Sequence, residues 1–137
     1  APKIKKKASV QSNVEMAKEM MKELTAYVSD YLGNDSTTFE TELRECGREL
    51  LGYLFGGVFA KNESFPKNKY VILNTETRSN GGRHWYAIAP DSYIYDSLEK
   101  NGFYDDVEQD QRTKDCGSRA LAWMLLHYGN PVVAKLV

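Results

Sequence analysis

A chain of 137 residues has room for one hydrophobic core and not for a second domain of useful size. With 42% hydrophobic and 27% charged residues its composition is that of a globular domain, and no apolar run approaches a membrane span. A net charge of −1 demands no polyanionic partner, and two cysteines, Cys46 and Cys116, are too few for a disulfide framework.

The charges are unevenly placed. Lys3, Lys5, Lys6 and Lys7 form a basic stretch, read as a flexible, solvated tail over residues 1–11. No signal-peptide pattern is present, so a reducing compartment and no secretion are expected. Ser12-Asn13-Val14-Glu15 has the form of a capping box, and Ala17, Met20, Met21, Leu24, Val28 and Leu32 follow at helical spacing. The expected helix runs from about Asn13 to Leu32. Gly33 to Ser36 breaks it, and Thr37-Thr38-Phe39-Glu40 repeats the capping signature ahead of Phe39, Leu43, Cys46, Leu50, Leu51 and Leu54. Cys46 falls within this apolar set, in mid-helix, and is read as core. Gly52, Gly56 and Gly57 lie in LGYLFGGVFA and imply close packing against another element or a turn out of the helix.

Tyr70-Val71-Ile72-Leu73 is rich in β-formers and reads as a strand. His84 to Ala89 and Tyr93 to Ser97 read as two more, joined by Pro90-Asp91-Ser92 into an antiparallel hairpin. From Ala120 to Leu126 (ALAWMLL) every residue is apolar, so this helix should be sheathed by the rest of the domain. Gly129-Asn130-Pro131 stops it. The fold class is therefore α+β: an N-terminal helical pair, a small mixed or antiparallel sheet, and a buried central helix that starts at Cys116.

Cys116 sits where unpaired N–H groups and the helix dipole favour an anion, which suits a nucleophilic thiolate. A single cysteine needs a histidine, and the hairpin supplies one. His84 opens its first strand and Asp96 closes its second, so both side chains come to the same edge of the sheet. Asp96 would hold the imidazole by Nδ1–H, leaving Nε2 for the thiol proton. The Cys116 backbone N–H is one donor for an oxyanion, and Gln109 or Gln111 supplies a second. Only His84 and His127 offer imidazole, CxxC and HExxH patterns are lacking, and no spaced glycine loop suits a phosphate. No metal and no cofactor are expected.

The order His84-Trp85, Tyr95-Asp96-Ser97, Gln109 or Gln111, then Asp115-Cys116-Gly117 opening an apolar helix resembles the adenain-like cysteine proteases. This is the family of the adenovirus maturation protease, and it shares its fold with the SUMO-deconjugating enzymes. The resemblance covers about Tyr70 to Tyr128. It implies that His84 is the general base, Asp96 its orienter, Cys116 the nucleophile and the glutamine an oxyanion donor, with Trp85 in contact with substrate. The family glutamine lies six or seven residues before the cysteine; Gln109 is seven before and Gln111 five before, so Gln109 is the better match.

The small size resembles the proteases of adenovirus-like viruses, including virophages and large DNA viruses. Those enzymes cut capsid precursors after Gly-Gly or Gly-X-Gly, in the virion and the cytoplasmic viral factory of the host. The resemblance thus implies a polypeptide substrate and maturation of capsid proteins. Some such enzymes use virion DNA as an activator, a contact open to Lys3, Lys5, Lys6 and Lys7. Two rival expectations stand beside it: a protease that removes a ubiquitin-like modifier, and a silent module that binds glycine-rich peptides without cutting them.

Overall fold

The helix α1 (Pro2–Leu32) opens the chain in the computed structural model, which describes residues 2–32, 40–75, 84–97 and 116–137. It buries Val14, Ala17, Met21, Thr25 and Val28, one face at the spacing of three or four that the sequence implied. Thr25 Oγ1 donates to the Met21 carbonyl at 2.7 Å, which satisfies a hydroxyl that would otherwise be buried unpaired. The start of the helix differs from expectation. Residues 2–11, read as a flexible tail, belong to α1, and Ser12 and Glu15 lie inside it rather than capping it. Lysine and alanine are good helix formers, and a helix already nucleated on a packed face extends at little cost per residue.

The second helix, α2 (Glu40–Leu51), buries Leu43, Cys46, Gly47 and Leu51. Cys46 is core as expected, and burial pushes its thiol up to about 11. The expected capping residues Thr37 and Thr38 lie outside the described residues. Gly52, at φ +57°, turns the chain out of α2 in a conformation that a side chain would oppose, and a single 3₁₀ turn, Gly52–Leu54, follows. The chain then enters a strand that the sequence did not announce, β1 (Phe55–Phe59).

β2 (Tyr70–Asn74), β3 (Trp85–Ile88) and β4 (Ile94–Tyr95) complete a four-stranded sheet in the order β1-β2-β3-β4. β1 runs parallel to β2 with a bulge between Phe55 and Gly57, and the other two pairings are antiparallel. All five residues of β2 are buried, which is why its sequence is a nearly unbroken apolar run rather than an alternation. One row crosses the sheet through Val58, Ile72, Ala87 and Tyr95, all buried. The Tyr95 ring stacks on Trp123 of α3 (Cys116–Gly129), so this face of the sheet carries that helix.

α3 touches α1, α2, β2 and β3, and also α4 (Pro131–Ala134). It is the central, sheathed helix that its apolar sequence demanded. Its stop signal also begins α4: Asn130 accepts a hydrogen bond from the Val133 amide at 3.2 Å, with Pro131 in the first turn. Among the described residues the architecture is α+β, with four helices and a small mixed sheet. Among the described residues, no helix is long and apolar enough to cross a membrane.

Candidate functional site

The site forms where the hairpin's open end meets the first turn of α3. Ala89 N–H donates to the Tyr93 carbonyl at 2.9 Å, and Ser92, at φ 74°, completes the tight reversal. With Ala87 opposite Tyr95, the register returns Asp96 to the end of the sheet from which His84 departs. His84 is fixed from its other side, since its carbonyl accepts from the Thr75 amide at 3.1 Å just beyond β2. The first turn of α3 approaches closely because residue 117 is glycine: a Cβ there would stand 2.9 Å from Leu43 Cδ2.

Three of the residues named from the sequence converge. His84 Nε2–H donates to Asp96 Oδ1, and both side chains are nearly buried. The Cys116 thiol lies close enough to the His84 ring to favour its charged form. Burial opposes a positive charge on His84; the hydrogen bonds to Asp96 and Cys116, with attraction to both, outweigh it and raise the pKa from the ordinary 6.5 to about 9. Cys116 keeps 8% of its surface exposed, at the helix start where the sequence put it.

The imidazole is turned the other way from expectation. Asp96 meets Nε2, not Nδ1, which leaves Nδ1 for the sulfur. The reason is the ring's reach. His84 stands just before β3 and Asp96 just after β4, so the far nitrogen spans the hairpin end while the near one stays by the main chain. The sulfur is held on that same main chain: the Trp85 amide donates to Cys116 Sγ at 3.5 Å. Trp85 therefore contacts Cys116 through its backbone, while its ring is half-buried at the margin of the core. A backbone donor leaves no mark in a sequence. Gln109, Gln111 and Asp115 lie outside the described residues, as do the loop residues around them.

The His84 pKa gives the fold a pH dependence of definite sign. A folded-state value above the unfolded one means that protonation stabilises the fold. The contribution is complete below about pH 6.5 and is lost as pH rises through about 9. Urea midpoints should fall across that interval, and Asp96→Asn should flatten the fall. An unchanged slope in the variant would mean that Asp96 is not what holds the proton.

A second set of polar side chains lies at the other end of α3 and was not foreseen. Tyr70 O–H donates to His127 Nδ1 at 2.7 Å, and His127 Nε2–H donates to Asp91 Oδ2 at 3.1 Å. Lys135 Nζ reaches the same oxygen at 2.7 Å. Lys135 first, and then the Tyr93 amide and His127, hold Asp91 down to about 2 against the opposing effect of burial. Burial first, with the Asp91 and Tyr128 charges, raises Tyr70 to about 12. His127 is thus the hub of a clasp joining β2, the hairpin turn, α3 and the segment after α4. Its partners are distant in sequence, so no local pattern could reveal them.

Among the described residues, no group of three or more His, Cys, Asp or Glu side chains could hold a metal ion. Comparison with protein-family models, curated proteins and solved structures finds no match.

Proposed function

We propose that this chain is a cysteine endopeptidase of the adenain-like kind, with Cys116 as nucleophile, His84 as proton carrier and Asp96 as the group that orients it. The observation that carries this reading is the gathering of an imidazole paired with a carboxylate and a thiol held by the Trp85 amide at the start of a buried helix. Sulfur transfers its proton to His84 Nδ1 and attacks the scissile carbonyl carbon. The resulting oxyanion is met by the Cys116 N–H and by Gln109, or Gln111 in its place. Collapse expels the peptide amine, which takes the proton from His84, and water then hydrolyses the thioester with His84 as base. Asp96 stays ionised throughout and stabilises the imidazolium.

The substrates in this reading are capsid precursors cut after Gly-Gly or Gly-X-Gly, during maturation in the virion or in the cytoplasm of an infected host. Trp85 lines the substrate groove beside the nucleophile. The test has two parts. Iodoacetamide at neutral pH should alkylate Cys116 at least about tenfold faster than a model thiol, whereas Cys46 should stay unreactive. Equal rates for Cys116 and the model thiol would remove the basis of the proposal. A peptide library with Gly-Gly-X and Gly-X-Gly sites then sorts the chemistry. Cleavage of short peptides supports the endopeptidase, a strict need for a folded ubiquitin-like modifier indicates a deconjugase, and binding without cleavage indicates a silent peptide-binding module.

A further inference from the structure

His84 and Asp96 are not held alike. His84 precedes β3, a strand paired on both sides, and its carbonyl accepts from the Thr75 amide beyond β2. Asp96 follows β4, which closes the sheet with two residues and two pairings, Tyr95 with Ala87 and Ile94 with Ile88. So short a strand fixes its own end poorly. Support for it comes from α3, where Cys116, Ala120, Trp123 and His127 follow at intervals of four, three and four residues and so form one buried stripe. Trp123 stacks on the Tyr93 and Tyr95 rings, and one turn further on His127 takes the hairpin's reversal through Asp91.

Stack and bond do different things. Near-parallel rings, at 7° and 18°, resist being pulled apart but slide across one another at little cost. A hydrogen bond is directional. His127 Nε2–H fixes the Asp91 carboxylate at one place along the helix, Tyr70 O–H on Nδ1 sets the ring itself, and Lys135 binds the same Asp91 oxygen. An apolar side chain at position 127 would fill the core without the desolvation that a buried imidazole costs, but it could not bind the turn. We propose that His127 and Asp91 are positioning residues: their bond keeps β4 laid against β3, and so keeps the Asp96 carboxylate on the His84 ring. The inference rests on the cysteine-protease reading for what that pairing does in catalysis, and on geometry alone for the pairing itself.

An NMR titration of the His84 imidazole tests this. The ring is faced by Asp96 and Cys116, and in the wild type it should titrate at about 9. His127→Phe keeps a ring beside Trp123 and leaves the Asp91 charge in place, yet it should weaken proton binding at His84 by about tenfold. Asp91→Ser, whose hydroxyl can still hold the Tyr93 amide but cannot reach His127, should do the same. Asp96→Asn sets the full loss, and either change added to it should cost nothing more, because the clasp acts through that carboxylate. On a cleavable peptide both variants should lose about tenfold in kcat with KM unchanged, with circular dichroism to show that they are folded. An unaltered His84 titration in the folded variants overturns the inference, and so does a loss that persists undiminished beside Asp96→Asn. Titrations that shift as stated in a chain that cuts no peptide support the positioning and overturn the protease reading.

Discussion

Cys116→Ala is expected to lower kcat on a cleavable peptide by about 10⁶-fold, and His84→Ala by nearly as much, with the double variant no worse than either alone. In the proposed chemistry thiol and imidazole act as one device. Without sulfur the ring has nothing to deprotonate, and without the ring the sulfur loses both its base and the acid that releases the amine. Asp96→Asn should fall less, by about 10⁴-fold, because the nucleophile and base survive while the carboxylate charge on Nε2 is gone. The measurement is steady-state kinetics on all four variants, with circular dichroism to show that each is folded. Losses that multiply in the double variant would mean that Cys116 and His84 do not act together, and a fully active Cys116→Ala would end the proposed chemistry.

The largest effect on stability is expected at Trp123. Its side chain is fully buried, with the Tyr95 ring stacked at 5.5 Å and 7° and the Tyr93 ring at 5.8 Å and 18°. His127 lies 5.0 Å away, and Trp123 Nε1 donates to the Ala134 carbonyl at 3.0 Å. Truncation removes the stacking, leaves a cavity and takes from the Ala134 carbonyl the shorter of its two hydrogen bonds, the Val137 amide remaining at 3.3 Å. Trp123→Ala should therefore lower unfolding free energy by about 3–5 kcal/mol, a large part of the roughly 5–15 kcal/mol typical of a domain. Trp123→Phe keeps a ring in the stack and should lose less than half as much. Urea denaturation measures both, and a loss below about 1 kcal/mol for Trp123→Ala would show that the stack contributes little. Tyr95 immediately precedes Asp96, so the alanine variant should also lose more activity than its unfolded fraction explains.

What was legible in the sequence follows from which residues faced a single environment. β2 lies buried on both faces, and its unbroken Tyr70 to Leu73 run states as much. α3 is enclosed all round, and ALAWMLL has no solvated side to mislead. Hairpin and helix start together fixed where His84, Asp96 and Cys116 would meet. β1 was illegible because its residues, FGGVF, put two glycines where strand formers belong, and its partner is reached by a parallel, non-local pairing. The beginning of α1 was misread because its lysines suit a solvated tail and a helix equally well. The imidazole orientation depends on the reach of a ring across a hairpin end, which spacing does not encode. Gln109 and Gln111 lie outside the described residues, so the choice between them rests on kinetics of the single variants.

The hairpin is moored to α3 at two points: at one end by the Trp85 amide on Cys116 Sγ, at the other by Asp91 on His127. Eleven residues separate those moorings along α3, about 17 Å of helix. A ribbon tied at one point can pivot; tied at two, it cannot rock about either. The angle at which ring and sulfur stand to one another is thus inherited from the resting molecule.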